Sequence, residues 1–71
     1  MKATLLIRKI KGTDICYALV IDFDGNVKRY GCDEIEYAKN LLKTICGKAD
    51  IVKFEEYEDR GEIEIGYMCE K

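Results

Sequence analysis

Polar and apolar positions alternate along most of this chain, with one helical interruption. From Ala3 to Lys11 the period is two: Leu5 and Ile7 point one way, Leu6 and Ile10 the other. Ile15 to Phe23 is the strongest strand pattern. Ile15, Tyr17, Leu19, Ile21 and Phe23 share one face, and Cys16, Ala18 and Val20 share the other. Asp24-Gly25-Asn26 signals a hairpin, and Val27 to Tyr30 predicts a short third strand. The period then changes. Ile35, Ala38, Leu42 and Ile45 recur at helical spacing between Asp33, a predicted N-cap with Glu36 three residues on, and Gly47, a predicted stop. Alternation resumes over Asp50 to Glu58 and Glu62 to Cys69, separated by the turn Asp59-Arg60-Gly61. In the first of these, Val52 and Phe54 are assigned to one face and Ile51 and Tyr57 to the other. In the second, Ile63, Ile65, Tyr67 and Cys69 are assigned inward. The predicted order is βββαββ, a mainly antiparallel α+β fold with one helix on one sheet face.

One feature of this pattern bears on function. The second strand is apolar on both faces, and one helix covers only one of them. The other face must pack on a curled part of the sheet, a second subunit or a partner. In a chain of 71 residues a homodimer is the expected solution.

That length makes a single domain spanning residues 1–71, with a thin core and little room for an internal catalytic cavity. Charged residues are 37% and hydrophobic ones 48% of the chain, which predicts a folded globule. His, Gln, Ser, Pro and Trp are absent, while Ile, Glu, Lys and Tyr are abundant. That bias points to a thermophilic source, archaeal or a virus of an archaeal host. Without His there is no Ser-His or Cys-His nucleophile, no imidazole metal ligand and no imidazole pH switch. Ala3 to Ile7 is too short for a membrane span or signal segment, so a cytoplasmic protein with no membrane partner is expected.

Cys16, Cys32, Cys46 and Cys69 lack the close pairing of zinc or redox motifs. Their favoured reading is four small buried hydrophobes. Disulfides are the rival, since intracellular disulfides persist in hyperthermophiles. Cys32 with Cys46 is excluded, because a helix of this length separates them by about 20 Å.

Three constellations remain. Val20-Ile21-Asp22-Phe23-Asp24-Gly25-Asn26 resembles the first motif of the haloacid-dehalogenase phosphatases. The resemblance implies Asp22 as nucleophile, Asp24 as acid/base and Mg2+ held between them. It covers seven residues, with Asn26 where the family prefers Thr. The family's later Ser/Thr, Lys and acidic pair have no place in this chain. A hairpin turn accounts for the same residues, so no catalytic residue, metal or cofactor is assigned. The order of elements over residues 3–57 resembles half of a ribonuclease-H-like fold, the plan of small HicB-type antitoxins, and implies a binding role rather than chemistry.

Charge supplies the other two. Residues 1–31 hold six basic and three acidic residues, a net +3, and residues 32–71 a net −5. Arg8, Lys9, Lys11, Lys28 and Arg29, with Tyr30 to stack a base, form a candidate nucleic-acid surface. Glu55, Glu56, Glu58, Asp59, Glu62 and Glu64 form a candidate surface for a basic protein partner. The expected function is a small non-enzymatic regulatory protein that acts by protein contact. Nucleic-acid binding through the basic half is the alternative, and a Mg-dependent Asp22/Asp24 site a further one.

Overall fold

The computed structural model describes residues 1–71. Five strands form one sheet: β1 (Lys2–Ile10), β2 (Cys16–Ile21), β3 (Val27–Gly31), β4 (Val52–Asp59) and β5 (Glu62–Glu70). A single helix, α1 (Ile35–Cys46), lies between β3 and β4 in sequence. The order βββαββ is therefore as the periodicity predicts. Every pairing is antiparallel, and the spatial order is β3-β2-β1-β5-β4. The half ribonuclease-H-like plan, in which the strand after the helix runs parallel beside the first, is not formed. That place belongs to β5, and β4 is an edge.

The helix packs over β1, β2 and β3. It buries Ala38, Leu42 and Cys46 against Ala3, Leu5, Ile7, Ala18, Val20 and Tyr30. These are the strand faces that alternation assigns together. Burial of a side chain such as Leu42 is worth about 1.5–3 kcal/mol, so this layer accounts for docking. Gly47 ends the helix with φ 59° and donates its N–H to the Lys43 carbonyl at 2.9 Å.

The helix start differs from expectation. Cys32–Glu34 is a 3-10 turn, and Asp33 lies inside it without capping anything. The Glu34 carboxylate instead reaches back to the Gly31 N–H, at 3.5 Å. A covalent tie does the anchoring. Cys16 and Cys32 form a disulfide with Cα atoms 5.1 Å apart, joining β2 to this turn. Cys46 and Cys69 form a second, with Cα atoms 6.0 Å apart, joining the helix end to β5. The reading of four free hydrophobic cysteines is thus overturned, although Cys46 and Cys69 are fully buried.

Phe23 lies beyond the end of β2, and the loop turns its ring back onto the helix-side core. In β4 the register shifts between Lys53 and Glu55, a β-bulge. The Phe54 ring lies over Gly66 of β5, where an added Cβ would stand 2.5 Å from Phe54 Cζ. The bulge reverses the parity beyond it. Tyr57 pairs with Glu64 and shares the face of Val52 and Phe54, not the opposite one.

Candidate interaction surface

The sheet face opposite α1 is built by every second residue of all five strands. Following the register across the strands, one row reads Val27, Ile21, Thr4, Met68 and Val52. The next reads Arg29, Leu19, Leu6 and Gly66, with Phe54 and Glu55 both opposite Gly66 at the bulge. The third reads Gly31, Tyr17, Arg8, Glu64 and Tyr57. No element of the chain covers these side chains. Val27 is 60% exposed, Val52 53%, Phe54 47% and Tyr57 45%, while Leu6, Leu19, Ile21 and Met68 are half-buried by one another. Together these side chains form a contiguous apolar area on one face of the sheet.

The face is polar in a directed way. Arg29 and Arg8 lie on the β3–β2–β1 side. Glu55, Glu64, Glu62 and Asp59 lie on the β5–β4 side. The Arg29 guanidinium lies 4.8 Å from the centre of the Tyr17 ring. Arg8 donates to the Tyr17 hydroxyl at 3.4 Å and lies 3.9 Å from Glu62. The Tyr17 hydroxyl, and then Glu62, hold the Arg8 proton above the ordinary arginine range. At the far edge the Tyr57 hydroxyl donates to Asp59 Oδ2 at 3.0 Å, which raises the phenol pKa.

The sequence candidates are partly dispersed by this geometry. Of the basic set, Arg8 and Arg29 share the open face. Lys9 and Lys28 point to the helix side, and Lys11 lies beyond β1 against Gly61. Tyr30 is 9% exposed beneath the helix with the Lys28 ammonium over its ring, so it offers no platform for a base. The six residues therefore do not form one surface. The acidic set is also split: Glu55, Asp59, Glu62 and Glu64 share the open face, while Glu56 and Glu58 point the other way. Lys53 reaches Glu56 at 3.2 Å on that side.

Asp22 and Asp24 belong to the β2–β3 loop. One Asp22 carboxylate oxygen accepts the backbone N–H groups of Asp24 and Asn26, each at 2.9 Å, and the other accepts Asn26 Nδ2 at 3.2 Å. These bonds, the Asn26 N–H foremost, lower the Asp22 pKa. They make Asp22 an Asx-type brace for a turn with Gly25 at φ 86°. No three Cys, Asp or Glu side chains converge to hold a metal ion. Two open clefts flank the helix. One of 230 Å³ has Leu5, Leu42, Ile51 and Tyr67 beneath Lys39 and Lys43. The other, of 290 Å³, lies between Leu41, Ile45 and the Asp22 loop. Asp22 and Lys28 are the charged side chains that line the second, and Lys39 and Lys43 those that line the first. No helix is long and apolar enough to cross a membrane.

No protein-family model matches the chain, and no curated protein or solved structure matches it either.

Proposed function

We propose that this chain is a non-enzymatic protein-interaction module, and that its working surface is the open sheet face. The observation that carries the reading is the apolar area around Leu19, Phe54, Val52 and Val27, left uncovered while α1 covers the opposite face over β1, β2 and β3. Exposed apolar surface of this extent invites aggregation unless it is used. Its polar rim gives the face direction, with arginines on one flank and carboxylates on the other. A charge pattern of that kind selects partners and orientation more than it adds affinity.

Nucleic-acid binding is the weaker reading. Lys2, Arg8 and Arg29 are three cations beside five carboxylates on one face, Glu70 joining the four above, and phosphate recognition needs a denser basic field. The disulfides and the bias toward Lys, Glu and Ile fit a thermophilic origin.

A photoreactive residue placed at Val52, on the open face, and separately at Tyr37, on the exposed side of α1, tests the reading. The protein is illuminated in extract of its source cells. Protein adducts from Val52 and none from Tyr37 are expected. Nucleic-acid adducts from Val52 favour the weaker reading, and adducts from Tyr37 alone refute the assignment of the face.

A further inference from the structure

We infer that the occupant of the open face is a second copy of the same chain, packed about a two-fold axis parallel to β1. The inference rests on the interaction reading above and adds the partner and its geometry.

Two sheets stacked face to face lie about 10 Å apart with strands nearly aligned. A two-fold axis along β1 keeps each residue row in place and exchanges the two flanks. β3 of one copy then faces β4 of the other, and β2 faces β5. The first two rows match under that operation. Val27 meets Val52 and Ile21 meets Met68 in the first row. Leu19 meets the Phe54 ring over Gly66 in the second, and Leu6 meets its own copy at the axis. Arg29 falls opposite Glu55, twice in each dimer. Self-complementarity of this sort is what an isologous interface requires. The other in-plane axis, across the strands, sets Arg29 against Arg29, Glu55 against Glu55 and Met68 against Glu64. The β1 axis also sets Arg8 against its own copy, each with Glu62 at 3.9 Å beside it. It forms two Arg29–Glu55 contacts, however, whereas the crosswise axis forms like-charge contacts only, so charge favours the β1 axis.

The area is adequate. Five strands span about 20 Å, and an eight-residue strand is about 26 Å long, so each copy offers on the order of 500 Å² in projection. Specific interfaces bury about 800 Å² of accessible surface per partner. Corrugation by the side chains brings the face near the lower end of that class, which implies a dimer that forms reversibly with concentration.

Sedimentation equilibrium of the intact oxidised protein tests the inference, using wild type, Arg29→Glu, Glu55→Arg and an equimolar mixture of the two variants. Wild type should pass from the 8.2 kDa monomer to twice that mass as concentration rises. Each single reversal should weaken association at least tenfold. The mixture should recover it, because both contacts between unlike variants are again of opposite charge. A wild type that stays monomeric into the millimolar range overturns the inference, as does a mixture no tighter than its components. Circular dichroism confirms that the exposed substitutions leave the fold intact. If wild type is monomeric while Val52 still crosslinks to other proteins, the dimer fails and the interaction reading stands. If Val52 crosslinks to nothing, both fail.

Discussion

Reducing the two disulfides should remove most of the stability of this domain. The hydrophobic core is ten buried side chains, among them Ala3, Ala18, Ala38 and two cysteines. A chain of 71 residues has roughly 4–11 kcal/mol of stability in total. The bridges close segments of 16 and 23 residues that do not overlap in sequence. On the chain-entropy view each restricts the unfolded state by about 3 kcal/mol, so the pair contributes about 6 kcal/mol. The bridges also differ in access. Cys32 is exposed and Cys16 half-buried, whereas Cys46 and Cys69 have almost no solvent contact. A water-soluble phosphine should therefore open Cys16–Cys32 first, and Cys46–Cys69 only as the helix end detaches. Urea melts followed by circular dichroism measure the effect, with the paired substitutions Cys16→Ala/Cys32→Ala and Cys46→Ala/Cys69→Ala separating the bridges. With a urea m-value of about 1 kcal/mol/M, loss of one bridge should lower the midpoint by about 2–3 M. The buried pair should cost more, because its sulfurs also fill the core. An unchanged midpoint after thiol titration has counted four free thiols would refute the reasoning.

Leu42→Ala should destabilise the protein by about 2–5 kcal/mol, since Leu42 is 2% exposed between helix and sheet, while Lys43→Ala stays within about 0.5 kcal/mol. Equal urea midpoints for the two would mean that the wrong helix face has been docked. Gly61→Ala should cost at least about 1–2 kcal/mol, because Gly61 has φ 86° and its new Cβ would meet Lys11 Cβ at 2.9 Å; a melt matching wild type would contradict the turn geometry. Asp22→Asn should flatten the acid limb of stability. The Asp22 pKa is lowered in the folded state, so its contribution is present above the ordinary value of 3.8 and lost as pH falls through the lower folded value. Acid melts of wild type and variant that run parallel would show that the loop bonds carry no such linkage.

The helix and the strand count were legible because their signals are local. Ile35, Ala38, Leu42 and Ile45 lie on one stripe whatever surrounds them, and β1, β2 and β5 alternate without interruption. Strand order was not legible, since nothing in β4 or β5 alone says which of them meets β1. Tyr57 was misassigned because the bulge at Phe54 depends on Gly66 leaving room for a ring, a relation between strands. Cys16–Cys32 and Cys46–Cys69 were missed for the same reason: their spacing matches no motif, and only tertiary pairing brings them within reach. The basic surface failed on a rule the sequence did contain. Arg8 and Lys9, like Lys28 and Arg29, are strand neighbours and so must point to opposite faces. Apolar residues on both faces of β2 were the signal that survived, and they led to the open face before any register was known.

That face is the point on which the account stands. Methyl-detected NMR of the oxidised protein through a dilution series tests it most directly, because each row carries its own probes. The methyl signals of Leu6, Leu19, Ile21, Val27, Val52 and Met68 should shift together with concentration, while those of Leu41 and Ile45 beside the helix stay in place. Concentration-dependent shifts at the helix, with the sheet-face methyls unmoved, would contradict the account.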